Sequence, residues 1–424
     1  MMDRLRSWRA TLAVPWHRTL LVIFLAQLTT AVGFSSIFPF LPLYVQSLGS
    51  TTGTDIEVMA GLVFSAQAFT MMIASPIWGA VADRFGRKLM VQRAMFGGSI
   101  ILLLMAFVHS SEELVVLRAI QGTITGTVAA SNALVAAVAP RHRTGFAMGL
   151  LQVGLGAGVA LGPLIGGALA DAFGYRSAFF VTSAMLLVSG WMVRAWVHEG
   201  FVAPAGGNGP ASWLKHWQAI LTTHGVRITY AMRFISQLGQ QMIVPMAPLF
   251  IESLMANSSL VNTMTGLVVG TSAAFTTLSA VYLGRLGDRI GHRRVLIFSC
   301  LGAALFYWPA SLVGGPWQLL ALQAAVGIAL GGVVPSISAL LAAYTSAGEE
   351  GAVYGLDNSI RSGARSVAPL AGSGVAIAFG LRGVFVAAAA VFGLALLMAV
   401  LWLPQTASAA MYQAQAPARP GDLG

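Results

Sequence analysis

The feature that most restricts this chain is a series of long, unbroken apolar runs, the first of them Leu20–Ala31 continuing through Phe34–Val45. A backbone in hydrocarbon finds no water, so its N–H and C=O groups must pair within the structure, which leaves α-helices or closed β-barrels. Barrel strands alternate apolar and polar residues over segments of about ten. These runs are continuous instead, and they read as helices. Composition agrees: 57% of the 424 residues are apolar and 9% charged, against about 25% charged in a soluble domain. There are too few ionic groups to cover a water-facing surface.

A spanning helix takes about 20 mainly apolar residues. Cutting at Pro, Gly and charge clusters gives twelve spans, the first six at 19–46, 57–82, 89–109, 112–138, 145–171 and 177–197. The second six are 228–252, 262–285, 295–313, 317–344, 350–378 and 382–403. The expected class is therefore an all-α membrane protein of two six-helix bundles, 19–198 and 227–404. A lead occupies 1–18, a linker 199–226 and a disordered tail 405–424. The linker carries Ala203-Pro204-Ala205-Gly206-Gly207 and then Trp213-Leu214-Lys215-His216-Trp217, a flexible break before a short interfacial helix. Residues 1–18 lack an apolar core and a small-residue cleavage site, so they lead into span 1 and are not a removable signal.

Lys and Arg set the orientation. Most of the 24 fall on the cytoplasmic side if the N-terminus is inside, including Arg4, Arg6, Arg9, Arg141, Arg143, Arg293 and Arg294. Both termini are expected in the cytoplasm of a bacterium, with the spans in its inner membrane. The net charge of +10 lies in these short loops and not on one basic face, which argues against nucleic acid as a partner. The lone Cys300 lies in an apolar run, and no Cys/His cluster suggests a metal.

The two halves repeat at an offset of about 205 residues. Pro39-Phe40-Leu41-Pro42-Leu43-Tyr44 answers Pro245-Met246-Ala247-Pro248-Leu249-Phe250. Gly79, Asp83, Arg84 and Gly86 after span 2 answer Gly284, Asp288, Arg289 and Gly291 after span 8. Gly122 in span 4 answers Gly327 in span 10, and Pro163 and Gly166 answer Pro369 and Gly372. Twelve spans in two parallel repeats is a transporter plan, with substrate near the midplane. A duplication of this kind has little use in an enzyme with one asymmetric active site. The histidines sit in loops or near span ends, so no catalytic set forms, and no phosphate-binding Gly-x-x-x-x-Gly-Lys-Ser/Thr loop is present. No catalytic residue, metal or cofactor is expected; a proton gradient would supply the energy.

The loop Gly79-Ala80-Val81-Ala82-Asp83-Arg84-Phe85-Gly86-Arg87-Lys88 resembles the loop signature of the major facilitator superfamily. Gly158-Val159-Ala160-Leu161-Gly162-Pro163-Leu164-Ile165-Gly166-Gly167 in span 5 looks like the antiporter motif of the twelve-span drug:proton antiporter group. Leu114, Arg118, Gln121 and Gly122 in span 4 are similar to a third motif of that group. The resemblance covers about residues 15–405 and implies export of small amphipathic molecules in exchange for protons by a monomer, as bacterial multidrug-efflux members do. Many relatives carry a titrating acid in span 1; here span 1 has none.

The resemblance implies that Asp83 docks near the N-terminus of span 11. A helix N-terminus favours a carboxylate. Arg84, Arg87 and Lys88 would hold anionic lipid or partner carboxylates, and Asp288 and Arg289 would form a weaker twin latch. Gly154, Gly158, Gly162 and Gly166 form a small-residue ladder that lets backbones approach. Pro163 bends the helix beside Gly167, so span 5 is expected to rock against a neighbour. Of the fourteen acids only Asp357 lies clearly inside a span, with Arg361 and Arg365 following at i+4 and i+8 on one face. Asp357 is expected either to pair statically with Arg361 or to pair with it in one state and titrate in another. Arg118 is given a role in proton transfer or gating by the resemblance; the alternative is a tie to Glu112 or Glu113. Arg233 would hold an anionic substrate group or tie spans together. By family analogy spans 1, 4, 7 and 10 line the pocket, with Gln27, Phe34, Asn132, Gln237 and Gln241 as liners and Gln152 and Asn358 on adjoining spans. A narrow-specificity metabolite or sugar carrier is the alternative, and a transporter-like membrane sensor a third reading.

Overall fold

The computed structural model describes residues 15–124, 126–138, 140, 143–197, 199, 224–255, 259–344 and 350–404. The expected interfacial helix at 213–217 and the tail from 405 onward lie outside the described residues. Within them there is no strand. Span 1 is α1 (Pro15–Ser36) and α2 (Leu41–Leu48), and spans 2 and 3 are α3 (Ile56–Phe85) and α4 (Arg87–Met105). Span 4 is α5 (Ser111–Ile124) and α6 (Thr127–Val138); spans 5 and 6 are α7 (Thr144–Phe173) and α8 (Tyr175–Trp196). In the second half span 7 is α9 (His224–Gln241) and α10 (Ala247–Leu254), followed by α11 (Val261–Ile290) and α12 (His292–Ala310) as spans 8 and 9. Span 10 is α13 (Pro316–Leu330) and α14 (Val333–Tyr344), and α15 (Glu350–Leu401) carries spans 11 and 12.

Four spans expected as continuous helices are broken: 1, 4, 7 and 10. Pro39 and Pro245 sit in the breaks of spans 1 and 7, where a ring in place of N–H forbids the next helical hydrogen bond. Pro42 and Pro248 then start α2 and α10, the position that best tolerates proline. Span 4 breaks at Gly126, whose φ of 138° few other residues adopt, and span 10 at Gly331-Gly332. The broken set is the one that the resemblance assigns to the pocket.

Eight of the described helices are long and apolar enough to cross a membrane. The shortfall from twelve has local causes. Spans 4 and 7 are cut in two and carry Arg118 and Arg233, span 9 opens on His292-Arg293-Arg294, and span 12 is joined to span 11 across Gly380. Positive φ at Gly86 and Gly291 turns span 2 into 3 and span 8 into 9, and Gly174 and Gly380 do the same for spans 5–6 and 11–12. The duplication seen in the sequence is thus present in the turns.

The first bundle has two apolar cores. One gathers Phe40, Tyr44, Val63, Leu102 and Phe179, and the other Ile23, Val91, Met95, Leu134 and Leu151. The second bundle has one core, from Met246, Phe250 and Leu296 to Phe385 and Phe392. Close approach inside each bundle repeats too. A Cβ on Gly122 would strike the Gln67 carbonyl in span 2, and one on Gly327 the Ser272 carbonyl in span 8.

Candidate functional site

The terminal face is where span 1 starts and span 12 ends; the distal face is opposite. The halves meet chiefly through two helix pairs, span 5 with span 8 and span 2 with span 11, toward the distal face, where α2 and α10 also touch. On span 5 a Cβ at Gly167 would run into the Asn262 carbonyl of span 8. Reciprocally, one at Gly266 would meet the Pro163 carbonyl and one at Gly270 the Ala160 carbonyl. On the other pair, Ser373 Oγ of span 11 donates to the Glu57 carbonyl of span 2 at 2.6 Å, and a Cβ at Gly61 would strike Ser373 and Pro369. Toward the terminal face the same helices separate: among the described residues nothing lies within 4 Å of a Cβ at Gly145 or Gly149 of span 5, or at Gly355 of span 11. The described residues of the two halves form a cleft closed distally and open terminally.

Span 5 uses two faces. The Gly154, Gly158, Gly162 and Gly166 ladder does not face the other half; it packs on span 1 of its own bundle, against Phe24, Leu28, Val32 and Ser36. Ser35 Oγ ties the same pair by donating to the Gly158 carbonyl at 2.9 Å. The face carrying Pro163 and Gly167 is the one that meets the second bundle.

Asp171, at the distal end of span 5, closes the seal. Its Oδ1 accepts from the Asn262 N–H at 3.2 Å and from Asn262 Nδ2 at 2.7 Å, and its Oδ2 from the Thr263 N–H at 2.6 Å. These N–H groups begin α11, where no intrahelical acceptor exists and the helix dipole favours a carboxylate. Sequence reasoning placed Asp171 only at a span end; the signal available was an acid just beyond the Pro163–Gly167 face. Asp171→Asn keeps the shape but loses the charge, and is expected to weaken distal closure by about 1–2 kcal/mol. The check is thiol labelling of Thr263→Cys, which should quicken several-fold; the native Cys300 is buried and silent.

Of the expected loop latch, the Asp83 side chain lies outside the described residues. Gly79 is in α3, and Arg84 is exposed beside the Phe85 ring at 5.3 Å. The Arg87 and Lys88 N–H groups at the start of α4 donate to Glu199 at 3.0 and 2.8 Å, a cap supplied from beyond span 6 within the same half. Asp288 and Arg289 are exposed, and Asp288 meets His292 of the next helix at 3.2 Å without reaching the other half.

Two of the three buried charged residues described, Arg233 and Asp357, lie in the second bundle. Arg233 Nε donates to Asp357 Oδ1 at 2.7 Å and its Nη2 to Ser338 Oγ at 2.9 Å, joining spans 7, 11 and 10. Arg361 Nη2 approaches Asp357 Oδ2 at 3.3 Å. Arg233 is 1% exposed and Asp357 4%, so Asp357 has two cationic partners where the sequence suggested one. Both residues lie two to three turns from the start of their helices, and equal depth was the signal for pairing them. Arg118, 1% exposed, pairs with neither Glu112 nor Glu113. It donates from Nη1 to Gln121 Oε1 at 2.8 Å and lies 5.6 Å over the Phe64 ring. Glu112 instead gathers the Thr51 and Thr52 N–H groups at 2.9 and 3.1 Å, and Glu113 takes the His109 N–H.

The expected liners divide. Gln27 is 3% exposed and donates to the Leu151 carbonyl, so it ties span 1 to span 5. Phe34 points to Gly98 of span 3 and belongs to the first core. Asn132 is half-buried with Oδ1 unpartnered, and Gln237 and Gln241 follow Arg233 at four-residue steps toward span 11. Gln152 and Asn358 are exposed. Each falls between the face its helix presents to its own bundle and the face it presents to the other half, so each borders the cleft.

Comparison with known proteins gives one family. The sequence pattern of the Major Facilitator Superfamily matches residues 23–232 and 229–423. Multidrug resistance proteins MdtG of Salmonella paratyphi A and Salmonella dublin are similar at 34% identity over 381 residues, covering 89% of this chain and 93% of theirs. Among solved structures, a mutant of the nucleoside transporter NupG aligns with a TM-score of 0.78 at 14% identity, over 91% of this chain and 100% of that one. The human organic anion transporter MFSD10 aligns with a TM-score of 0.68 at 20% identity, over 91% and 99%. With its duplicated bundles, broken inner spans and a pattern match over nearly its whole length, the chain belongs to the major facilitator superfamily.

Proposed function

We propose that this protein exports small amphipathic molecules across the bacterial inner membrane in exchange for protons, by alternating access, as a monomer without a cofactor. The terminal face is the cytoplasmic one, and the open cleft is the state that loads substrate. Closing the terminal side and parting the distal seal would release it outside. Similarity to multidrug resistance proteins supports the substrate class.

The observation that carries proton coupling is Asp357, the one acid among the described buried residues. It is held between Arg233 and Arg361 inside the second bundle. Protonation would cancel both attractions and free span 11 to move against span 7. Inverted vesicles carrying the protein test this, with fluorescent amphipaths and an imposed pH gradient. Wild type is expected to move substrate with the gradient, and Asp357→Asn to lose the gradient dependence at least tenfold while downhill exchange persists. Unchanged coupling in Asp357→Asn would remove this residue from the mechanism. Absence of movement for chemically distinct amphipaths would point to a narrow metabolite carrier.

A further inference from the structure

Among the described residues, span 11 carries more positive charge than its surroundings neutralise. At about 100° per residue, Gly372 marks the face on span 7, where it meets the Met242 carbonyl, and Ser373 the face on span 2. Arg365 and Asn358 fall on the arc between those faces. Both are exposed, whereas Ala364 and Ala368, toward the bundle's own core, are fully buried. Arg365 is midway along the span, at the depth where transporters of this plan hold substrate.

The Asp357 carboxylate is already shared by Arg233 and Arg361. Among the described residues Arg365 has neither an ion-pair nor a hydrogen-bond partner, and Nε of Arg361 is buried without one. Among the described residues three guanidiniums therefore stand against one carboxylate, with Arg233 and Asp357 buried behind Arg361 and Arg365. Charge within a span is costly and kept where it acts on a substrate or ion. A guanidinium presents a rigid planar fork that matches carboxylate, sulfonate or phosphonate oxygens two at a time. Gln152, on the cleft side of span 5, and Asn358 add neutral hydrogen-bonding groups.

We propose that the cleft recognises its substrates by an anionic head, bound by Arg365 with Arg361 beside it, so that the preferred cargo is an amphipathic organic anion. This rests on the export reading above and specifies its substrate class.

The test uses two permanently charged probes with one fluorophore, dansyl-taurine (anion) and dansylcholine (cation), with the full-length protein in proteoliposomes and in nanodiscs. Wild type is expected to transport dansyl-taurine at least tenfold faster than dansylcholine. Arg365→Gln should abolish most of that preference, Arg365→Lys retain part of it, and Arg365→Glu invert it. Among the described residues Arg365 makes no hydrogen bond or ion pair, so the variants are expected to unfold thermally at the wild-type temperature. A wild-type preference for dansylcholine, or a preference indifferent to residue 365, overturns the anion site and leaves export standing. If neither probe moves, nanodisc binding separates the two ideas. Dansyl-taurine affinity that falls tenfold in Arg365→Gln keeps the site and rejects export of such probes; equal affinity rejects the site.

Discussion

Gly167→Ala is expected to hold the distal face open, whereas Gly166→Ala, one residue earlier, is expected to cost the fold. At Gly166 a methyl group would be driven into the carbonyl of Ser36 and its neighbouring backbone atoms. Those belong to span 1 of the same bundle, whose packing on span 5 is part of the core. Forcing an extra methyl into a packed site costs about 1–3 kcal/mol, and more when backbone must shift. Lower yield and a lower unfolding temperature are the expected readouts. At Gly167 the same methyl would meet the Asn262 carbonyl of span 8, which lies in the other half and can move away. A penalty of about 2 kcal/mol on the sealed state shifts its population more than tenfold. Labelling of Thr263→Cys should then be at least tenfold faster in Gly167→Ala, with the yield of folded protein unchanged. Equal labelling would show that the two halves yield at this contact without parting.

The second large effect concerns the buried charge cluster. Asp357→Leu leaves Arg233 with Ser338 as its remaining partner among the described residues, at 1% exposure. Breaking a buried pair by removing one member costs about 3–5 kcal/mol, mostly the cost of the stranded charge. Replacing both members with apolar residues of similar size is often neutral. The double variant Arg233→Met, Asp357→Leu is therefore expected to regain most of the stability that Asp357→Leu loses, by thermal unfolding in nanodiscs, while pH-driven transport stays absent in both. A double variant as unstable as the single one would assign the loss to packing of span 11.

Much of this architecture was legible because it follows from single-residue physics. Apolar length marks a helix, and Gly86, Gly174, Gly291 and Gly380 mark the turns through backbone freedom that side chains deny. The internal repeat doubled each signal. The sequence did not show which face of span 5 meets which partner, because the ladder from Gly154 to Gly166 and the Pro163–Gly167 face are both built from small residues. Only the relative rotation of whole bundles separates them. The partners of Asp171 and Arg118 were hidden for a related reason: one reaches backbone N–H groups 91 and 92 positions on, and the other a side chain within its own helix. A list of charged residues offers neither as a partner. Pairing Arg233 with Asp357 needed depth as well as charge, and both were readable from the span boundaries.

The distal seal is built unevenly. On the receiving side stand mainly main-chain groups: the N–H groups of Asn262 and Thr263 and the carbonyls of Asn262, Pro163, Ala160 and Glu57, with the Asn262 side-chain amide as the one addition. Main chain is the same whatever residue carries it, so these positions, Asn262 with its amide apart, can vary in side chain without altering what the contact receives. Asp171, Ser373 and the glycines that allow the approach have no such latitude. Substitution across a lineage should therefore be tolerated on one side of each contact and resisted on the other, so that the distal contact persists while the side chains around it drift.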